Sequence, residues 1–348
     1  MKNKRIVFWG GIGNSYEFGG EPSKNKEIII KIKEYGYELI QIDTLNCRRN
    51  KAKLLNVFLT LFFNILFHPK STFIFSTSFG NIYPLVKLFH FYPLRMKMIF
   101  WVIGGSFADQ VLRGEYEAKF LDIFNLFIVE GVKMKNTMKH LGFHNVIVKP
   151  NFKTIKSSFN VEKLNDGKIH FYFLSRIEPT KGIDIIFDSI KILNDRGYES
   201  KYTVDFYGNC SIEYAQNFRK KIERYPNSKY CGRIQLLDWK NYKILSKYHY
   251  MLFPTFWKGE GFPGVVMDAY ISGTPIIASD WSLNTEYVIN GKTGYIMNSL
   301  DAKSLSNLML ELINNKDGYN EMVHNCKIEA LKYDTSNVIT KDFFIKIL

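Results

Sequence analysis

The stretch from Leu252 to Met297, LFPTFWKGEGFPGVVMDAYISGTPIIASDWSLNTEYVINGKTGYIM, restricts the chain to folds that alternate strand and helix. Leu252 and Phe253 end a short apolar strand, and Pro254 stops it. A glycine-rich loop follows, Gly259 to Gly264. Pro263 stands where a first helical turn would begin, a place where its missing N–H costs nothing. The helix then runs through Val265, Val266, Ala269 and Ile271, and Gly273 is placed to end it in a left-handed cap. Thr274 to Ser279 reads as a buried parallel strand, and Asn290-Gly291 as a turn.

The loop-to-helix junction carries the chemistry. A helix N-terminus offers unpaired N–H groups and a partial positive charge, and behind a glycine loop it can hold a phosphate oxygen. Pro263 cannot donate, so Gly264 and Val265 are the candidate amide donors. Two carboxylates flank the junction, Glu260 in the loop and Asp268 about a turn into the helix. Ionised, they repel phosphate and only accept hydrogen bonds. The hydroxyl pairs of a ribose and a hexose would meet that need, so phosphate donors between two diol acceptors imply a nucleotide sugar. An ordinary strand-loop-helix unit with surface acids has the same spacing.

Glu260-Gly261-Phe262, Asp268-Ala269 and Gly273-Thr274-Pro275-Ile276-Ile277-Ala278-Ser279 resemble the carboxylate-x7-carboxylate motif of retaining GT-B glycosyltransferases, the family 4 group. The resemblance implies a donor site built from Glu260, Gly261, Phe262, Gly264, Val265 and Asp268. The closing residue is Asp where the family has Glu, so its carboxylate reaches less far toward a ribose. Upstream, Ser175-Arg176-Ile177-Glu178-Pro179-Thr180-Lys181-Gly182 resembles the Arg-x4-Lys-Gly motif of the same family. Two cations beside a loop-to-helix junction suit a diphosphate: Arg176 grips in a fork and Lys181 adds a point charge. They would stabilise the charge that grows on the β-phosphate as the sugar leaves. No Asp-x-Asp pair is seen, so neither metal nor cofactor is expected. The strand Tyr202 to Tyr207 ends at Gly208, and Ile234 to Leu237 reads as another strand before Asp238-Trp239. In related enzymes backbone near these strand ends holds the base, which brings Gly208 and Leu236 into the donor site.

The N-terminal half opens with a strand, Lys4 to Gly10, and then Gly10-Gly11-Ile12-Gly13, whose spacing is wrong for a G-x-G-x-x-G fingerprint. Gly19-Gly20 precedes a helix from Ser23 to Tyr35. In the family such a pair lies near the donor phosphates and the acceptor; a plain βαβ turn has the same form. The strand Met98 to Ile103 ends at Gly104-Gly105, where family members often carry a His that contacts the transferred sugar. Asp109 and Glu130 are candidates on the acceptor side, Asp109 also fitting a simple helix N-terminal acid. Lys149-Pro150-Asn151 resembles the family's crossover. The expected fold is GT-B, α/β, with two Rossmann-like domains facing a cleft: residues 1–152 for the acceptor, 153–334 for the donor, and a last helix, Thr335 to Ile347, crossing back to the first.

Charge is unevenly placed. Residues 1–150 carry 21 Lys/Arg and 11 Asp/Glu, residues 151–348 carry 26 and 22, and Thr44 to Ala108 has eight basic residues and no acid. Such a surface suits a phosphorylated substrate or an anionic lipid; no nucleic-acid motif accompanies it. In Cys47 to Phe67 the cluster Arg48, Arg49, Lys51, Lys53 leads into an apolar helix with a narrow polar stripe, Asn56, Thr60 and Asn64. That helix either packs on the sheet or dips into an anionic membrane surface. No apolar run spans a bilayer. The N-terminus enters a strand directly, and four scattered cysteines fit no metal spacing, which points to a reducing, cytoplasmic setting with peripheral membrane contact.

The expected activity is transfer of a sugar from a nucleotide diphosphate sugar, UDP before GDP, to a lipid-linked or saccharide acceptor in bacterial envelope polysaccharide assembly. An inverting GT-B enzyme using Asp109 or Glu130 as base, or a non-catalytic partner subunit, are the rivals.

Overall fold

The alternation of strand and helix runs through the computed structural model, which describes residues 4–14, 19–91, 96–155, 160–236 and 239–348. The chain divides into two units, Met1–Thr154 with Asp334–Leu348, and Ile155–Tyr333. The first holds β1 (Arg5–Gly10), α1 (Gly20–Glu34), β2 (Glu38–Asp43), α2 (Lys51–Phe67), β3 (Thr72–Thr77), α3 (Phe79–Phe91), β4 (Lys97–Val102), α4 (Phe107–Leu112), β5 (Leu126–Val129), α5 (Val132–His140) and β6 (Val146–Val148). The second holds β7 (Ile169–Leu174), α6 (Ile183–Asp195), β8 (Tyr202–Tyr207), α7 (Ile212–Arg224), β9 (Ser228–Gly232), α8 (Trp239–Ser246), β10 (Tyr250–Phe253), α9 (Gly264–Ile271), β11 (Ile276–Ser279), α10 (Asn284–Tyr287), β12 (Gly294–Met297), α11 (Ala302–Asn314) and α12 (Tyr319–Lys332). Two short helices, α13 (Thr335–Val338) and α14 (Lys341–Ile347), return to the first unit.

Among the described residues each unit has one all-parallel sheet of six strands, in the orders β2-β1-β3-β4-β5-β6 and β12-β11-β10-β7-β8-β9. Parallel strands covered on both faces read as continuous apolar runs, and β3 and β7 are buried at every residue. Successive side chains feed opposite faces. Val7, Phe73, Phe75 and Phe100 enter one core, while Ile6, Phe8, Ile74 and Trp101 enter another shared with Phe343, Phe344 and Ile347 of α14. In the second unit Phe171, Phe173, Leu252 and Ile277 pack on one face, Tyr172, Met251, Phe253 and Ile276 on the other. Strand order reverses between β1 and β3 in the first unit and between β7 and β10 in the second. At such switch points the loops beyond the carboxyl ends diverge and leave a crevice for ligands.

Three boundaries depart from the sequence reading. Pro263 is the N-cap of α9, with φ −69° and ψ 134°, and the helix starts at Gly264. The strand expected at Ile234 to Leu237 is instead β9, Ser228–Gly232. It is an edge strand paired with β8 alone, so it needs no continuous apolar run, while Ile234 and Leu236 pack as loop residues against the core. Leu237 and Asp238 lie outside the described residues. The last helix is two helices, each with its own side-chain cap: Asp334 accepts from Ser336 N at 2.8 Å and Thr340 from Phe343 N at 3.2 Å. On α2 the polar stripe turns inward along the helix: Asn56 is exposed, Thr60 half-buried, and Asn64 buried with Val57 and Leu61.

Candidate functional site

The loops after β7 and β10 meet at the switch point of the second sheet. Gly182 ends the first loop in the left-handed conformation, φ +78°, and caps α6. A Cβ there would lie 2.1 Å from the Pro254 carbonyl oxygen, so only glycine lets the two loops approach. The Phe256 amide donates to the Thr180 carbonyl at 2.9 Å and ties them. This places Lys181 Nζ 2.6 Å from Glu260 Oε2, with 3% and 5% of each residue exposed. The Thr255 hydroxyl donates to the same oxygen at 2.8 Å. Burial pushes the Lys181 ammonium below the ordinary lysine value, and the Glu260 carboxylate opposes that shift. Burying such a pair is costly unless its geometry is good, so a pair at this position is weak evidence for stability alone.

Trp257 completes the cluster. Its ring centroid is 4.3 Å from Lys181 Nζ and 5.2 Å from the Arg176 guanidinium carbon. Arg176 is mostly exposed and reaches Glu178 at 3.2 Å. Two cations thus lie against one aromatic ring. The loop is pinned from behind, where the Trp281 indole donates to the Trp257 carbonyl at 2.8 Å and the Ser282 hydroxyl to the Glu260 carbonyl at 2.6 Å. Ser282 adopts φ +53° to do so, an uncommon conformation for a residue with a side chain.

Gly261, Phe262 and Gly264 lead into α9. The Phe262 ring is stacked on Tyr287, 3.5 Å between centroids, and is buried, so only its backbone faces the loop. The first-turn amides of Gly264 and Val265 are the ones that helix geometry leaves without intrahelical acceptors. Asp268 is buried one turn in, and the Tyr242 hydroxyl of α8 donates to its Oδ1 at 2.7 Å. Gly208, φ +145°, ends β8 so close to β7 that a Cβ would meet the Ser175 carbonyl oxygen at 1.7 Å. Leu236 lies beyond β9 in a turn.

The remaining candidates belong to the first unit. Gly19 is the N-cap of α1 and Gly20 its first residue, both exposed. Asp109 lies in the first turn of α4. Glu130 follows β5 and is buried, its Oε1 taking a hydrogen bond from Lys24 Nζ at 2.7 Å. At this sheet's switch point Glu21 accepts from the Gly11 amide at 2.8 Å, and burial pushes its carboxyl above the ordinary glutamate value. Asp43 accepts from Ile12 and Gly13. Sequence reasoning missed Trp257, Thr255, Tyr242 and Glu21; each acts through a partner that only the folded chain brings near.

Two doubly wound parallel sheets define an α/β fold of the GT-B type. Residues 154–332, a little over half of the chain, match the family described as Glycosyl transferases group 1, and the chain belongs to that family. It is 28% identical over 158 residues to an uncharacterized glycosyltransferase of Methanocaldococcus jannaschii, covering 44% of this chain and 41% of that one. It is 25% identical over 181 residues to the capsular polysaccharide biosynthesis glycosyltransferase CapM of Staphylococcus aureus, covering 51% and 45%. The matched stretches thus span less than half of these relatives' length. Among solved structures, sucrose-phosphate synthase from Thermosynechococcus elongatus aligns with TM-score 0.75 at 11% identity, over 99% of this chain and 98% of that one. HepE of Anabaena, in complex with UDP and glucose, aligns with TM-score 0.66 at 12% identity, over 99% and 98%. At these identities the likeness is one of fold.

Proposed function

We propose that the protein transfers a sugar from a nucleotide diphosphate sugar to an acceptor hydroxyl, with the anomeric configuration retained. The observation that carries this is the buried Lys181–Glu260 pair, 2.6 Å long, at the switch point beside Arg176. Arg176 and Lys181 hold the diphosphate, and the amides of Gly264 and Val265, with the backbone of Gly261 and Phe262, complete the cradle. As the bond from the anomeric carbon to the diphosphate oxygen breaks, negative charge grows on the β-phosphate, and cations fixed beforehand stabilise it without reorganising. Glu260 accepts from hydroxyls of the sugar while Lys181 and Thr255 hold its carboxylate in place. Asp268 takes the ribose diol, and backbone at Gly208 and Leu236 borders the base. No metal has a part in this scheme. UDP is favoured over GDP because the fold neighbour HepE is a UDP complex.

The acceptor belongs to the first unit, residues 1–152 with the C-terminal helices, where Asp109 borders its site and Gly19-Gly20 lies toward the donor phosphates. Two observations weigh against inversion through a base there. Glu130 is already held by Lys24, so taking up a proton would strand a buried cation. Asp109 sits on a helix of only six residues, as a first-turn acid. The capsule role of CapM and a relative encoded in a Klebsiella pneumoniae cps region support envelope polysaccharide assembly, and we place the protein at the inner face of the plasma membrane. Proton NMR of the product tests the chemistry: an α-linked product from an α-linked donor is expected, and a β-linked product would overturn retention.

A further inference from the structure

Helix α2 has two apolar faces. Val57, Leu61 and Asn64 pack toward the sheet. On the opposite side Leu55, Leu59, Phe62, Phe63, Leu66 and Phe67 stand 41–71% exposed. At 3.6 residues per turn these six cover an arc of about 140°. The face continues onto α3, because Phe62 and Phe89 are in ring contact at 6.4 Å, and Leu88 and Phe91 of α3 are exposed too. Contiguous apolar surface of this kind marks an interaction site.

Charge says what covers it. Arg48, Arg49 and Lys51 are exposed at the N-terminal end of the helix, and Lys70 is exposed just past its C-terminal end. Lys53 is not part of the set: its ammonium is turned back to Asp43 Oδ2 at 2.8 Å and to the Leu45 carbonyl at 2.7 Å. No acid occurs between Thr44 and Ala108. A second copy packed isologously on this face would bring the same cations toward each other. Among the described residues no helix is long and apolar enough to cross a membrane. A helix with one strongly apolar face and a basic rim lies in the plane of an anionic bilayer surface instead.

We infer that the outward face of α2, with Leu88 and Phe91 of α3, inserts into the headgroup–acyl boundary of an anionic membrane, with Arg48, Arg49, Lys51 and Lys70 on its phosphates. This deepens the membrane placement proposed above and sets the first unit against lipid. Flotation with vesicles of phosphatidylglycerol and phosphatidylcholine tests it. The wild-type chain floats at low salt, and emission from the exposed-site variant Phe63→Trp shifts to the blue. Each cation near such a surface is worth about fivefold in partitioning, so Arg48→Gln/Arg49→Gln/Lys51→Gln binds roughly a hundredfold more weakly. Leu59→Ser/Phe63→Ser/Leu66→Ser/Phe67→Ser loses flotation, and its exposed positions leave folding intact. Both variants still release UDP from donor at the wild-type rate without vesicles, so insertion and sugar transfer fail separately. No flotation of the wild type, or flotation unchanged in the serine variant, overturns the inference. So does sedimentation showing a wild-type dimer that the serine variant abolishes, which would assign the face to a second copy.

Discussion

Replacing Lys181 by Met removes one half of a pair in which neither residue is more than 5% exposed. The methionine fills much of the lysine's volume, so the change is chiefly one of charge. It leaves the Glu260 carboxylate buried with the Thr255 hydroxyl at 2.8 Å. Breaking a buried pair from one side costs about 3–5 kcal/mol. In a domain of this size that lowers the melting temperature by roughly 6–20 °C. Adding Glu260→Gln neutralises the stranded charge, so the double variant recovers a large part of the lost stability, a coupling expected of residues in contact. Turnover behaves differently. The single variant loses a preorganised charge on the leaving diphosphate, worth about 100-fold or more, and the second substitution restores none of it. Calorimetric melting and nucleotide release on the wild type and the two variants separate the two roles. A double variant as unstable as the single would mean that packing, not charge, is at stake. A single variant with wild-type turnover would refute the catalytic role.

Asp268→Asn weakens UDP binding by about 1–3 kcal/mol in calorimetric titration, the cost of a lost charged hydrogen bond; unchanged affinity would remove Asp268 from the ribose. Gly182→Ala forces a side chain into φ +78° against the Pro254 carbonyl. The strain alone is worth about 1–3 kcal/mol, so a thermal melt of the variant falls well below wild type and its donor turnover drops with it. His249 gives a pH dependence. Burial, with the Lys163 and His170 charges, lowers its pKa from 6.5 to about 4, and its Nδ1 accepts the His170 amide at 3.0 Å. Across that window the unfolded chain takes up a proton that the folded chain refuses. Stability therefore falls as pH drops from 6.5 to about 4, by up to roughly 3 kcal/mol. Urea unfolding at pH 7 and pH 4.5 checks the sign, and His249→Gln should flatten the difference.

The parallel α/β architecture was legible because its strands are buried on both faces and so stand out as apolar runs between glycine and proline stops. β8 falls on the residues expected, Tyr202–Tyr207. β9 was misplaced because an edge strand, SKYCG, needs no apolar run, and the more apolar residues after it pack as a loop. The C-terminal helix was read through because helical periodicity does not register a second cap at Thr340. Within the candidate site, Arg176, Lys181, Glu260 and Asp268 are picked out by two short motifs that resemble those of the family. That Lys181 and Glu260 touch across 79 residues follows from strand order, which local pattern does not encode. Trp257 and Tyr242 were hidden for the same reason. On α2, periodicity gave the polar stripe but not its direction: Asn64 faces in with Leu61, and Asn56 is exposed on the side of Leu55, Leu59, Phe62, Phe63, Leu66 and Phe67.

Release of nucleoside diphosphate from a panel of UDP- and GDP-hexoses, followed for the wild type and Arg176→Ala side by side, tests the donor cradle most directly. Arg176 is exposed at the mouth of the cluster, so its removal leaves the fold untouched. The account predicts release from at least one UDP-hexose and a drop of about 100-fold or more in the variant. Equal rates for the two proteins, or no release from any donor in the panel, would contradict it.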